Sequence, residues 1–150
     1  MPHDPELILA GRRVNNGMPE VVAERLMNVV GIGSGQSTRP RILVMGYTFK
    51  ENCPDARNSL VSDLVESIAA KGAAVAIYDP WVSKQSTEIK HRSMLLKEIK
   101  GLTFDGIAIA VGHQMFREMG AEKVIRMCGV TSCIFDVKGI FGNQTGFQRL

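Results

Sequence analysis

Four short runs of consecutive apolar residues, Ile42 to Tyr47, Ala73 to Tyr78, Ile107 to Val111 and Cys133 to Val137, are separated by stretches with helical spacing. A strand that is apolar on successive positions has no face for water, so it belongs in a sheet covered on both sides. Between the first two runs, Leu60, Val61, Leu64, Val65, Ile68 and Ala69 fall on one face of a helix that ends at Gly72. Further helices are expected around Ser93 to Ile99 and Gln114 to Met127. Strand and helix in alternation predict an α/β fold, Rossmann-like and three-layer (α/β/α), with a mainly parallel sheet. No internal repeat is visible.

An N-terminal helical segment precedes this unit. Leu7, Ile8, Val14, Met18, Val21, Val22, Leu26, Val29 and Val30 recur at helical spacing, and Asp4 before Pro5 is a start signal. Pro19 has no backbone N–H, so the helix is expected to kink or restart near Asn16-Gly17-Met18 and to form two pieces. Residues 31–40, rich in Gly and Ser and ending in Pro40, read as a linker, with a compact domain over 41–150. The glycines Gly31, Gly33 and Gly35 look like a nucleotide fingerprint, but a helix precedes them and a strand follows, the reverse of what that fingerprint needs.

A chain of 150 residues that is 45% hydrophobic and 22% charged suits one globular domain. No apolar run approaches the roughly 18–20 residues of a membrane span. The N-terminus lacks the layout of a signal peptide, so a cytoplasmic chain is expected. Cys53, Cys128 and Cys133 form no C-x-x-C pair, which speaks against a disulfide framework or a structural zinc site. A formal charge of +3 is too small for a dedicated nucleic-acid binder but suits a pocket that receives phosphates.

In an open parallel sheet the ligand lies beyond the carboxyl ends of the strands, which directs attention to the loops after Gly46, Tyr78, Val111 and Val137. The first, Gly46 to Ser59, is longer than an ordinary βα turn and carries Phe49, Lys50 and Arg57. Two cations beside a helix start favour an anion, and Phe49 offers a face for a ring. Lys138, after the fourth strand, puts another cation on the same sheet edge, so that it and Lys50 can clamp a diphosphate. The turn after the first strand lacks G-x-G-x-x-G, which argues against an independent NAD site. Asp79 stands where a ribose-binding carboxylate would, but Asp-Pro also starts turns. His113 can serve as acid or base or as a packing group, with no carboxylate partner readable near it.

Residues 42–82, ILVMGYTFKENCPDARNSLVSDLVESIAAKGAAVAIYDPWV, resemble the C-terminal UDP-binding domain of the UDP-glucose/GDP-mannose dehydrogenase family. Gly46, Phe49 and Lys50 match its G-x-x-F-K sequence, Asp55, Arg57 and Ser59 its D-x-R-x-S loop, and Tyr78, Asp79 and Pro80 its Y-D-P. The upstream ILAGRRVNNGMPEVVAERL resembles the end of the family's long central helix, and IAVGHQMF and IFDVKGIF its third and fourth strands. The A-G-R-R-x-N and D-V-K-G wording is closer to the UDP-N-acetylhexosamine 6-dehydrogenases of polysaccharide biosynthesis.

The resemblance implies that Phe49 and Lys50 contact a UDP-sugar, that Lys138 joins them, and that Arg57 lies on the NAD side of the cleft. Many members have Arg at the place of Lys138, and lysine weakens any bidentate contact. The family oxidises the C6 alcohol of the sugar to a carboxylate in two NAD-dependent steps through a cysteine. Neither its catalytic-cysteine motif nor its dinucleotide fingerprint occurs in these 150 residues, and Cys53 lies in the UDP-domain loop. The expectation is a fragment or separately expressed domain: residues 1–30 ending the central helix and pairing a homodimer, 31–40 a linker, 41–150 the UDP-binding domain. Alone it should be inactive, with NAD held mainly by another domain. A stand-alone NAD or nucleotide sensor, and an assembly domain with vestigial loops, are the alternatives.

Overall fold

The computed structural model describes residues 5–33, 39–57, 60–82 and 89–150, with the side chains of residues 5–15, 32, 33, 132 and 144 left aside. Helix α1 spans Pro5–Gly33, followed by β1 (Arg41–Met45), α2 (Leu60–Ala70), β2 (Ala74–Tyr78), β3 (Gly106–Ile109), α3 (Gln114–Met119), α4 (Ala121–Cys128) and β4 (Ile134–Asp136). The four strands are all parallel and lie in the order β2-β1-β3-β4. Chain direction across the sheet therefore reverses between β1 and β3, which is where such sheets open a crevice.

The strand pleat sorts the apolar residues into two cores. Ile42, Val44, Ala108 and Phe135 face α1 and α2, whereas Leu43, Met45, Ile107, Ile109 and Ile134 face α3 and α4 through Phe116, Val124 and Met127. This is the expected three-layer arrangement: β1, β3 and β4 alternate between two covered sides, and β2 at the sheet edge is partly exposed.

Helix α1 completes one of those layers. Val22, Ala23, Leu26 and Val30 are buried with Val61, Leu64, Val65 and Ile68 of α2. The physical reason lies at Gly106, where an added Cβ would stand 2.7 Å from Val30 Cγ2: α2 covers the β2 side of the sheet and α1 closes down on β3. The packed unit thus includes residues before Arg41, and the helix runs three residues past position 30, into the stretch read as linker. Residues 34–38 of that stretch lie outside the described residues.

Three expectations about helices change. Pro19 does not divide α1 into two pieces; one helix runs through it. Pro19 forfeits one intrahelical bond, but it is itself buried, and Met18 and Val22 are packed on the core around it, so burial offsets the loss. The helix expected at 93–99 is instead a single 3-10 turn, Arg92–Met94. Leu95 then bridges to Ile77 and the Leu96 N–H donates to the Ile77 carbonyl at 2.8 Å, because β2 is an edge strand whose open backbone competes successfully with helix. The helix expected over 114–127 is broken into α3 and α4 at Gly120, whose φ of +83° is unavailable to a continuing helix.

Candidate functional site

The loop after β1 starts at Gly46, with φ +93°; a Cβ there would lie 2.5 Å from Val111 Cβ, so only glycine lets the β1 and β3 ends approach this closely. Gly46 N–H donates to the Tyr78 carbonyl at 2.8 Å, and the next two backbone N–H groups, of Tyr47 and Thr48, donate to Asp79 Oδ2 at 2.6 and 3.1 Å. Phe49 N–H reaches back across the loop to the Asp55 carbonyl at 2.7 Å, and the Thr48 hydroxyl donates to the Lys50 carbonyl at 2.9 Å. These bonds fold the segment from Gly46 to Asp55 into a fixed shelf at the carboxyl edge of the sheet.

The shelf is one wall of a cavity of about 490 Å³ at the switch between β1 and β3. Phe49, Lys50 and Lys138 all line it. Met18, Pro19 and Val22 of α1 form an apolar wall, and Leu60 and Val61 bring the first turn of α2 to its edge. Phe49 is 62% exposed, an unusual placement for a phenylalanine and one that leaves its ring face open to a ligand. Among the described residues the ammonium groups of Lys50 and Lys138 take part in no hydrogen bond or ion pair. A concave site with two such cations and an aromatic face can hold an anion attached to a flat or apolar group.

Lys138 is held by a second device. The buried Asp136 at the end of β4 accepts the N–H groups of Ile140 and Phe141 at 3.2 and 3.1 Å, closing its own loop around Lys138 and Gly139. Arg57 behaves differently from the other three sequence candidates. It does not line the cavity; it is exposed and forks onto Asp55, Nε to Oδ1 at 3.0 Å and Nη2 to Oδ2 at 3.1 Å. The Arg57 guanidinium and backbone N–H hold the Asp55 carboxyl below the usual carboxylate range.

Asp79 and His113 are each other's partners, which corrects the expectation that His113 has no carboxylate near it. His113 Nε2 is 2.9 Å from Asp79 Oδ2, and both side chains are fully buried. The Asn52 N–H donates to His113 Nδ1 at 2.9 Å, so Nδ1 is the lone-pair nitrogen and Nε2 carries the proton donated to Asp79. The Asp79 oxygens are consumed inside the protein, Oδ1 by the Trp81 N–H at 2.8 Å and Oδ2 by Tyr47, Thr48 and His113. A carboxylate so enclosed does not reach a ribose. The four sequence-level features missed entirely are Thr48, Asn52, Arg117 and the apolar wall from α1. Arg117, four residues past His113 on α3, lines the cavity with Glu51, whose carboxylate lies 3.5 Å away. Its position one turn into the helix after β3 was the signal that could have found it. Cys53 is half-buried and does not line the cavity, and among the described residues no cluster of His, Cys, Asp and Glu could hold a metal ion.

Comparison with known proteins gives a consistent picture. Residues 43–143 match the UDP-binding domain of the UDP-glucose/GDP-mannose dehydrogenase family. A UDP-N-acetyl-D-glucosamine 6-dehydrogenase of Salmonella typhi is 36% identical over 149 residues, 97% of this chain and 34% of the relative. Its counterpart in Pseudomonas aeruginosa is 35% identical over 148 residues, 99% of this chain and 35% of the relative. The solved structure of a UDP-D-ManNAc dehydrogenase from Pyrococcus horikoshii superposes with a TM-score of 0.71 at 26% identity, over 98% of this chain and 33% of that one. The chain therefore spans about a third of the length of these relatives.

Proposed function

The chain belongs to the UDP-glucose/GDP-mannose dehydrogenase family, and on that premise we propose that its cavity binds the UDP portion of a UDP-N-acetylhexosamine while the C6 alcohol is oxidised to the carboxylate. One observation carries this reading: Phe49, Lys50 and Lys138, drawn from two loops, line a single cavity at the topological switch point. In it, Lys50 and Lys138 neutralise the diphosphate, and the exposed Phe49 ring lies against the uridine or sugar.

The sequence after β1 carries no G-x-G-x-x-G dinucleotide turn. Gly46 stands alone in the turn after β1, and the Asp79 carboxylate is fully engaged. In this proposal NAD is bound by another domain, with Arg57 at its margin, and the isolated chain binds nucleotide without oxidising sugar. A homodimer through α1 would not use Val22, Leu26 and Val30, which are already covered within the chain. The setting is cytoplasmic. No described helix is long and apolar enough to cross a membrane.

One wall of a two-domain cleft should bind UDP with high-micromolar to millimolar affinity, about 4–6 kcal/mol. Calorimetric titration of the chain with UDP and with NAD tests this. Preference for UDP, weakened by roughly 1.5–3 kcal/mol in Lys50→Ala with unchanged thermal stability, supports the assignment. Preference for NAD would make the chain a cofactor sensor instead.

A further inference from the structure

The buried polar cluster beneath the cavity joins three loops that meet nowhere in sequence. Asp79 follows β2, His113 follows β3, and Asn52 lies in the loop after β1; the three are 34 and 61 residues apart across their two bonds. His113 is the hinge of this cluster. Its Nε2 donates to Asp79 Oδ2 and lies 3.3 Å from the Thr48 hydroxyl oxygen, while its Nδ1 accepts the Asn52 N–H. Nδ1 is thus spent on one end of the segment that carries Phe49 and Lys50, and Nε2 on the carboxylate that holds its other end through the Tyr47 and Thr48 N–H groups.

Asn52 marks where the segment is pinned. Its φ of +55° makes it the one described non-glycine residue in the left-handed region. Two bonds keep it there, the N–H to His113 and the side-chain Oδ1 accepting the Gln114 N–H at 2.9 Å. A left-handed turn residue bonded from both sides, next to a binding surface, fixes the path of the segment. Accepting the cavity as the UDP pocket, we propose that His113 is a positioning residue: by bonding Asn52 and Asp79 together it fixes Thr48 to Asn52 so that Phe49 and Lys50 are presented to the nucleotide before it arrives.

The two nitrogens can be separated chemically. His113→Gln places an amide nitrogen near the position of Nε2 and keeps the bond to Asp79 but offers nothing to Asn52. His113→Asn places an acceptor near the position of Nδ1 and keeps the bond to Asn52. UDP affinity, read by NMR titration of the full chain, should fall about tenfold in His113→Gln, the scale of one net hydrogen bond. His113→Asn, which loses the bond to Asp79 instead, should fall by a similar factor, since the positioning needs both bonds. In the absence of nucleotide, the amides of Phe49 to Asn52 should exchange faster in His113→Gln than in the parent chain, while those of β1 and α2 keep their rates. If His113→Gln does not fold, affinity and loop exchange are read in the same way in His113→Asn. Unchanged loop exchange with unchanged affinity would overturn the positioning role. Faster loop exchange in a chain that never binds UDP would leave the positioning intact and refute the pocket assignment instead.

Discussion

Two lysines face one cavity, and the loops that bring them there are built on contrasting plans. Lys138 sits on a short loop closed by Asp136, which accepts N–H groups only four and five residues ahead of it. Lys50 sits on a long loop closed by Asp79, which takes N–H groups 32 and 31 residues behind it and an imidazole 34 residues ahead. The first pin is local and can form as soon as β4 ends. The second exists only once β2, β1 and β3 lie side by side, so the shape of the Lys50 shelf reports on the whole sheet. A loop pinned non-locally can be shaped for its ligand, but it is lost when any one of its anchors is lost.

The contrast breaks most readily at Asp79. Asp79→Ala leaves the Tyr47, Thr48, Trp81 and His113 donors without their acceptor, and unfolding in urea should show a loss of about 3–5 kcal/mol. A loss under about 1 kcal/mol would mean that the non-local pin is dispensable. Gly46→Ala attacks the same shelf sterically, through the positive φ and the approach to Val111, and should cost roughly 2–4 kcal/mol by the same measurement. At the local pin, Asp136→Ala should cost only about 1–2 kcal/mol, with chemical-shift changes confined to residues 137–141 and the Lys50 shelf unmoved. Changes spreading to Thr48 and Asn52 would show that the two loops are coupled after all.

The smallest effect is a pH slope from a neighbouring contact. The Tyr47 hydroxyl meets His91 Nδ1 at 2.9 Å, and burial holds the His91 imidazole below its ordinary value of 6.5. The folded chain then binds fewer protons than the unfolded one, so stability is complete above that value and falls as the pH drops through it towards the folded value. Glu66, held low by Lys90, adds a further loss at more acid pH. Unfolding midpoints measured from about pH 7 to about pH 5 should decline, and His91→Phe should flatten the upper part of that decline.

How much of this was legible beforehand follows the same division. The strands and α2 were readable because their periodicity is a local property of the chain. Lys50, Phe49 and Lys138 were readable because parallel α/β topology says where strand ends converge. The Asp79 and His113 pair was not, since neither residue carries a sign of the other until the strand order is known. The missing helix at 93–99 has the same origin: the backbone of β2 offered Leu96 a partner that no helical pattern in its own segment reveals. Arg57 was visible as a cation set apart from Phe49 and Lys50, but its fork onto Asp55 was not.

The central claim is that the cavity between β1 and β3 is the nucleotide site. A titration of the labelled chain with UDP, followed through backbone amide shifts, tests it most directly. The prediction is a saturable response centred on Thr48 to Glu51, Leu60 and Val61, Gly112 and Lys138. A response centred instead on Tyr78 to Val82 and Leu95 to Lys97, where a second cavity of about 320 Å³ lies beside the β2 edge, would contradict it.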